Sequence, residues 1–316
     1  MKILIAYDGS EPAKAAIEDL KRAGLPQQNV QAMVVTAEEA HTAMTPAFNL
    51  DPGLPILTYA FESAHETILY AQETAEIDAE QGVEHVKQIF PQWDVTPSVH
   101  LEPPAPAILE VADWWKPDLI VMGSHGRSGI SRLFLGSVSL RVMREAETAV
   151  RISHNKPESI VDDADPAYPP VLLLAFDGSE GSNRAVHHLL DRSWPNHTQI
   201  HIVAVIDVSI LSTRNYLWLV GEDLTQYQDM NESRIEHSVH DLEREMRKAS
   251  PTMSFDVTSA IQVGSPIHEI LSEAKRVQAD TIFMGSRGLS RLERMLLGSV
   301  VQGVVSHAET TVEIVR

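Results

Sequence analysis

One glycine spacing occurs twice in the chain, at nearly the same place in each half. Each copy has a glycine, a second glycine after two residues and a Gly-Ser pair after nine more: Gly123, Gly126 and Gly136-Ser137, then Gly285, Gly288 and Gly298-Ser299. Both copies follow an apolar run, 119–122 or 281–284, that is typical of a buried parallel strand. Glycine lets a backbone approach phosphate closely, and the start of the following helix offers free N–H groups. The repeat therefore predicts two phosphate-binding loops.

A second repeat opens each half of the chain. Asp8-Gly9-Ser10 and Asp177-Gly178-Ser179 both follow a short apolar run. The stretch between the halves is rich in Pro and Asp and lacks apolar periodicity, which is typical of a linker. We therefore predict one domain over 1–154, a linker over 155–169 and a second domain over 170–316, each of ordinary domain size.

Strand and helix patterns alternate along both halves. The predicted strands are 2–7, 30–36, 95–101, 119–122 and 149–153 in the first half, and they lie near 171–176, 199–206, 255–263, 280–284 and 311–315 in the second. Helices of ten or more residues between strands favour a parallel sheet with right-handed crossovers. The fold class is therefore α/β, with two tandem Rossmann-like domains. In such sheets ligands bind at the carboxyl ends of the strands, where Asp8 and the Gly123 loop should meet.

Composition excludes several classes of function. The formal net charge is −19, so neither nucleic acid nor an anionic membrane is an expected partner. The chain has no cysteine, which excludes disulfides, thiol catalysis and cysteine-ligated metal. Met1 and Lys2 lead straight into a strand pattern, and no apolar run reaches the length of a membrane span. We therefore expect a cytoplasmic protein.

These residues resemble those of the universal stress protein family, in a tandem two-domain form. The similarity rests on the Asp-Gly-Ser turns, on Met122-Gly-Ser-His-Gly-Arg-Ser128 and on Leu296-Leu-Gly-Ser-Val300, and it covers nearly the whole chain. The resemblance implies a five-stranded parallel sheet of order 3-2-1-4-5 in each domain. It also implies ATP binding, because the repeated glycine pattern marks the family members that bind ATP.

The resemblance assigns the nucleotide contacts residue by residue. Asp8 and Asp177 would contact the ligand, and an Asp-Gly turn that caps the next helix is the structural alternative. Valines and methionines at strand ends would border the adenine or ribose, although such residues also serve as ordinary core. The predicted cofactor-binding residues are Ala6, Asp8, Val35, Met122, Gly123, His125, Gly126, Arg127, Gly136, Ser137, Val138, Ser139, Ala175, Asp177, Val205, Met284, Gly285, Arg287, Gly288, Gly298, Ser299 and Val300.

The phosphate end of each predicted site combines hydroxyl, amide and cationic groups. Ser137 and Ser299 are predicted to cap the helix after the loop, and Ser139 would add a donor in the first site only. Arg127 and Arg287 are placed near the phosphates, with solvated loop positions as the alternative. His125 is not interpreted as catalytic, because the sequence places no acidic partner or nucleophile beside it. No metal site is predicted apart from Mg²⁺ carried in with ATP.

The leading hypothesis is an ATP-binding stress or signalling protein that is not an enzyme. A P-loop is absent, and so are the Ser-Gly-Gly-x-Asp-Ser and His-x-Gly-His signatures of adenylating enzymes. No general base is evident, so any hydrolysis should be slow. The alternatives are a slow ATPase and a scaffold that binds AMP, or no nucleotide, and regulates a partner protein.

Two expectations concern the relation between the halves. The resemblance implies an intramolecular pseudo-dimer that pairs strands 149–153 and 311–315, and whole chains could pair further as a homodimer. We also expect the first site to bind ATP more weakly. Glu102 stands where the second half has Gly264, and it could clash with a positive φ or repel the ligand.

Overall fold

The computed structural model describes residues 1–39, 55–126, 135–154, 169–207, 223–248, 255–286 and 298–316, with side chains from 65 and 233 onward in the two longest helices. In the first half the elements are β1 (Lys2–Ala6), α1 (Glu11–Asp19), β2 (Gln31–Ala37), α2 (Pro55–Ile89), β3 (Asp94–His100), α3 (Pro104–Trp115), β4 (Leu119–Gly123), α4 (Ser137–Glu145) and β5 (Ala149–Ser153). A short 3₁₀ turn over Leu20–Arg22 follows α1.

The second half repeats this order of elements. They are β6 (Val171–Ala175), α5 (Glu180–Leu190), β7 (Gln199–Asp207), α6 (Asp223–Lys248), β8 (Asp256–Gly264), α7 (Pro266–Arg276), β9 (Thr281–Gly285), α8 (Ser299–His307) and β10 (Thr311–Val315). The predicted linker covers 155–169, and all of it except residue 169 lies outside the described residues. Within the described ranges, no helix combines the length and the apolar character that crossing a membrane requires.

All ten strands of the described chain form one sheet, in the order β3-β2-β1-β4-β5-β10-β9-β6-β7-β8. Each half therefore has the predicted order 3-2-1-4-5, and the prediction of two Rossmann-like α/β domains is confirmed. Pairing is parallel within each half, as buried strands joined by helical crossovers require. The two halves meet where β5 pairs antiparallel with β10, which gives the predicted pseudo-dimer arrangement.

The apolar core differs between the two faces of the sheet. On the face covered by α3, α4, α7 and α8, one cluster of buried side chains runs through both halves. On the opposite face the core is divided into a first-half cluster under α1 and α2 and a second-half cluster under α5 and α6. The boundary between those two clusters lies over β5 and β10, where charged side chains are buried instead.

Trp114, one of two adjacent tryptophans at the end of α3, is not a packing residue. It lies on the outer face of α3 and its side chain is 61% exposed, whereas its neighbour Trp115 packs against the continuous core. Adjacent residues of a helix point about 100° apart, so a Trp-Trp pair at one helix end cannot bury both rings against one surface.

Candidate functional site

A cleft of about 560 Å³ opens at the carboxyl ends of β1 and β4, where the strand order reverses. That volume lies in the range of small-molecule sites. Eleven of the twelve predicted first-site residues line it, and the twelfth, Arg127, lies outside the described residues. The eleven are Ala6, Asp8, Val35, Met122, Gly123, His125, Gly126, Gly136, Ser137, Val138 and Ser139. The fold thus brings together residues that are up to 133 positions apart in the sequence.

The turn after β1 fixes the carboxylate of Asp8 at the mouth of this cleft. Gly9 has φ +75°, a left-handed conformation that favours glycine. Asp8 Oδ1 accepts hydrogen bonds from the Ser10 N–H at 3.1 Å and the Ser10 hydroxyl at 2.5 Å, and Ser10 Oγ in turn caps α1 by accepting from the Ala13 N–H at 3.3 Å. The helix cap is therefore Ser10 and not Asp8, and the hydrogen bonds to Ser10 hold the Asp8 side chain beside the cleft, where a ligand could reach it.

The start of α4 forms the opposite wall of the cleft. The N-cap residue is Gly136, which has no side chain to make a capping hydrogen bond. Ser137 is the first residue inside the helix. The predicted capping role of Ser137 is therefore wrong, and the same holds for Ser299, which follows the N-cap Gly298 in α8. The first N–H groups of a helix lack intrahelical acceptors, so those of α4 remain available to an anion in the cleft.

Ser139 has a structural hydrogen bond that the sequence did not predict. Its hydroxyl, on a side chain that is almost fully buried, donates to the Gly123 carbonyl at 2.9 Å. This hydrogen bond ties α4 to the end of β4, and the role of Ser139 toward a ligand stays a prediction. Val301, the corresponding residue of α8, is buried and has no hydroxyl to make this bond.

The glycines of the repeated motif differ in what they permit. A Cβ on Gly123 would lie 2.7 Å from the backbone carbonyl of Pro12, so this glycine allows α1 to pack on β4. A Cβ on Gly126 would lie 2.8 Å from Asp8 Oδ2, inside the cleft. At Gly136 the nearest atom, the Ser124 carbonyl oxygen, would be 3.2 Å away. Helix packing thus requires the first glycine whether or not phosphate binds, whereas the other two border the cleft.

His125 is the one basic side chain among the described residues that line the cleft. Its Nδ1 lies 3.0 Å from the Ser124 hydroxyl, and its Nε2 is buried with no hydrogen-bond partner within the described part of the chain. The acidic lining residues are Asp8, Glu38 and Glu39. Among the described ranges, no group of three His, Asp or Glu side chains could hold a metal ion. Attraction for an anion therefore comes from His125 and the start of α4.

Seven further residues line the cleft that sequence reasoning did not select. They are Tyr7, Ala13, Ala37, Glu38, Glu39, Pro104 and Ile108. Most lie just beyond strand ends or at the start of α3, so the strand boundaries were the available signal. Ile108 and Pro104 could not be selected by motif, because an apolar helix residue looks the same whether it faces a core or a ligand.

The second half presents the corresponding residues where they are described. Ala175 ends β6 beside Met284 of β9, and the Asp177 carboxylate accepts from the Ser179 N–H at 3.0 Å. Gly298, Ser299 and Val300 begin α8 as their counterparts begin α4. The predicted residues Arg287 and Gly288 lie outside the described residues.

Strand register corrects which valine of the second half is equivalent to Val35. Val35 is paired with Ala6, whereas the residue paired with Ala175 is Val203. The counterpart of Val35 is therefore Val203, and Val205 corresponds to Ala37. Because Ala37 lines the first cleft, Val205 still lies on the strand face that borders the second site.

The turn after β3 does not support the backbone argument about Glu102. Neither Glu102 nor Gly264 has a positive φ. Glu102 lies 3.5 Å from His100 Nδ1 and does not line the cleft, whereas a Cβ on Gly264 would lie 2.6 Å from Glu269 Oε1. Each half therefore has a carboxylate near this turn, and the predicted clash at Glu102 is wrong. Weaker ATP binding in the first site stays a prediction.

His154 directly follows β5 and lies close both to His125 of the first cleft and to Val305 and Thr310 of the second half. Burial, followed by the nearby His125, lowers the pKa of His154 to about 4, although the carbonyls of Val305 and Thr310 act in the opposite direction. Its Nδ1 is buried with no hydrogen-bond partner among the described residues. The folded state therefore holds His154 neutral at pH values where an unfolded chain would protonate it.

We expect His154 to make the fold sensitive to mild acid. Its pKa is lower in the folded state than the ordinary 6.5, so its contribution is complete above pH 6.5 and is lost as the pH falls toward about 4. Between pH 7.5 and pH 5 this loss should be about 2 kcal/mol. In urea titrations, His154→Gln should remove that pH dependence, whereas His240→Gln, at an exposed position, should leave it unchanged. An unaltered pH profile in His154→Gln would contradict the expectation.

The comparisons with known proteins agree with this fold and motif. The family model described as "Universal stress protein family" matches residues 1–154 and again 171–316. A universal stress protein of Mycobacterium bovis is 28% identical over 219 residues, which cover 67% of this chain and 66% of that protein, so the chain spans about two thirds of that relative. Universal stress protein YxiE of Bacillus subtilis is 28% identical over 145 residues, 46% of this chain and 97% of its own length.

A solved structure extends the similarity to the whole fold. A universal stress protein of Archaeoglobus fulgidus superimposes with a TM-score of 0.58 at 20% identity, covering 100% of this chain and 98% of that one. At this identity the likeness shows the fold alone. The two matches to the family model show that the chain belongs to the universal stress protein family, as a tandem two-domain member.

Proposed function

We propose that the chain binds ATP in the first-half cleft and at the corresponding position of the second half, and acts as a nucleotide-dependent stress-response or signalling module. The observation that carries the proposal is the joining of an apolar wall, the Asp8 carboxylate and the start of α4 around one cleft. A nucleotide has the same division into an apolar base, a hydroxylated sugar and an anionic tail.

The two ends of the cleft suit different parts of this ligand. Val35, Ile108 and Met122 are buried residues whose side chains offer an apolar surface to a base. Asp8 is acceptor-only when ionised, which suits ribose hydroxyls. The N–H groups at the start of α4 suit the phosphates, and each such contact at an exposed helix terminus contributes about 0.3–1 kcal/mol. Several contacts must act together to give useful affinity.

Magnesium fits the proposal because the described lining contains no Lys or Arg. With Asp8, Glu38 and Glu39 close by, a bare triphosphate would meet more negative than positive charge. Mg²⁺ that arrives with ATP would reduce this repulsion, and Arg127 and Arg287 would add positive charge from the loops. The same acidic lining favours a second candidate, a scaffold that binds AMP, since a monophosphate carries less charge into the cleft.

The residues around the cleft support ligand binding without efficient catalysis. Among the described lining residues, His125 has its Nδ1 beside the Ser124 hydroxyl and makes no hydrogen bond to a carboxylate that would orient it as a general base. Hydrolysis of ATP should therefore be slow. We propose that nucleotide occupancy regulates a partner protein in the cytoplasm, with or without homodimer formation.

Replacing Ser137 by Glu should weaken ATP binding to the first site at least about tenfold, because the new carboxylate would stand where a phosphate is proposed to bind. Ser137 is exposed and begins α4, where a carboxylate is favourable to the helix, so the fold should be preserved. Calorimetry with Mg-ATP, ADP and AMP provides the measurement.

Adenosine is the matched control ligand for this variant. It has no phosphate, so its affinity should change less than twofold in Ser137→Glu. Ser299→Glu makes the same change in the second site, and the protein in which only the second site is intact should bind ATP more tightly. Unchanged ATP affinity in both variants would exclude the proposed phosphate position, and the absence of any heat with millimolar ATP, ADP or AMP would exclude adenine-nucleotide binding.

A further inference from the structure

Two oppositely charged side chains face each other on the pseudo-twofold axis between the halves. Arg151 of β5 pairs directly with Glu313 of β10, and Arg151 Nη1 donates to Glu313 Oε2 at 2.8 Å. Both side chains are fully buried. Each is the third residue of the last strand of its half, so the two occupy equivalent positions. In an antiparallel pair of identical strands about a twofold axis, the residue at this position would face its own copy.

The surroundings of the two residues are inverted in charge. Asp19 of α1 accepts from Arg151 Nε at 2.7 Å, whereas Glu313 Oε1 lies 2.7 Å from His188 Nε2 of α5 and also accepts from Arg192. Asp19 and His188 both lie nine residues after the helix N-cap, so they too are equivalent. The first half thus presents a cation supported by an acid, and the second half an anion supported by bases.

Both central groups stay ionised despite their burial. Burial by itself would raise the pKa of Glu313, but Arg192, His188 and Arg151 hold it well below its usual range. Burial by itself would lower the pKa of Arg151, but Asp19 and Glu313 outweigh that effect and raise it. Two such groups of the same sign in this position would each remain buried without an opposite charge across the axis, which is strongly unfavourable.

The apolar residues beside this pair cannot distinguish one half from the other. Val150 lies opposite Ile314, and Ile152 opposite Val312. Two copies of the first half would place Val150 opposite Ile152, and two copies of the second would again place valine opposite isoleucine. Apolar contacts in these strands would therefore be almost the same in every combination, and the central charges make the difference.

A steric contact also favours the pairing of unlike halves. Gly24 of the first half has φ +63°, and a Cβ there would lie 2.6 Å from the ring of Trp194 in the second half. The residue equivalent to Gly24 is Ser193, since each lies fourteen residues after its N-cap. In a pair of second halves the tryptophan would meet the Cβ of this serine. In a pair of first halves, Leu25 would replace the ring and fill less of the space.

We propose that this interface recognises the unlike half by charge and shape, so that the first half pairs with the second half of the same chain and neither half pairs with its own copy. The residues that carry the recognition are the central Arg151–Glu313 pair, the charged side chains that support each member and the contact of Gly24 with Trp194. Closure of the chain on itself then uses the last strand of both halves and leaves neither available to a second molecule.

The test converts the charges of one half into those of the other within the full-length chain. His188→Asp, Arg192→Ala and Glu313→Arg together give the second half the residues that the first has at Asp19, Ala23 and Arg151; this is the matched-charge variant. Adding Asp19→His, Ala23→Arg and Arg151→Glu exchanges the charge order of both halves; this is the inverted variant. Hydrogen exchange in β5 and β10, with β2 and β7 as internal references, and light scattering provide the measurements.

In the matched-charge variant, exchange in β5 and β10 should become at least about a hundredfold faster while β2 and β7 stay protected. Its exposed last strands should also make it associate. The inverted variant contains the same substitutions and three more, yet its exchange should return to within about tenfold of the unmodified chain, and it should be a monomer. Native-like protection of β5 and β10 in the matched-charge variant would overturn the proposal. Failure of the inverted variant to recover would overturn it equally.

Discussion

Gly285→Ala is expected to destabilise the ligand-free protein by about 3 kcal/mol or more, in spite of the small size of the added methyl group. The new Cβ would lie 2.2 Å from the carbonyl carbon of Gly181 and 2.4 Å from its oxygen. These are backbone atoms at the start of α5, so they cannot move aside as a side chain can. The helix would have to shift away from β9 and separate the buried residues beneath it. Urea titration followed by circular dichroism measures the loss.

The other motif glycines provide a graded control for Gly285→Ala. At Gly123 the closest backbone atoms of Pro12 would be 2.7 Å away, so alanine should cost somewhat less there. At Gly136, where φ is −60° and the nearest atom would be 3.2 Å away, alanine should cost less than about 1 kcal/mol. Equal costs at all three positions would show that helix packing does not distinguish these glycines.

This gradation explains what the repeated glycine spacing could and could not predict. The spacing pointed to the carboxyl end of β4, where the first cleft opens, because a strand, a glycine turn and a helix are local features of the chain. It could not show that Gly123 and Gly285 are required by helix packing, since that contact involves residues more than a hundred positions away. A glycine motif therefore combines packing and ligand requirements that only the structure separates.

The strands and their order followed from the sequence because buried parallel strands are short apolar runs between helices. Side-chain roles were less predictable wherever a tertiary contact determines them. Ser139 lines the cleft, but its hydroxyl also donates to the Gly123 carbonyl, a contact that no sequence motif indicates. Likewise, the equivalence of Val35 and Val203 depends on register, which the repeat alone did not fix.

The buried charges between the halves were missed for a different reason. A charged residue in the middle of a short strand, such as Arg151, usually indicates an exposed face. A signal was nevertheless present, because Ala149–Ser153 and Thr311–Val315 align with opposite charges at the third position. Opposite charges at equivalent positions of a repeat are expected where two units meet on an axis, and this pattern can be sought in other tandem chains.

Trp194→Ala should destabilise the protein by about 3–5 kcal/mol and loosen both halves. The ring is 4% exposed, its Nε1 donates to the Leu189 carbonyl at 2.7 Å, and it packs edge-on against Phe283 with the ring centroids 6.1 Å apart. The ring also packs against Gly24 of the first half. Truncation would therefore leave a cavity that spans the junction, and the first half would lose packing although its own sequence is unchanged.

Trp93→Ala is the matched control, because this ring is also 4% exposed and bonded through Nε1 to a carbonyl, that of Pro26 at 2.9 Å. It stacks on Phe90 at 3.9 Å, so its described ring contacts lie within the first half. Both variants should lower the free energy of unfolding by similar amounts. Hydrogen exchange should separate them: Trp194→Ala should accelerate exchange at Leu20–Arg22 as well as in α5, whereas Trp93→Ala should leave α5 protected. Acceleration confined to the second half in Trp194→Ala would mean that the two halves are not mechanically coupled through this contact.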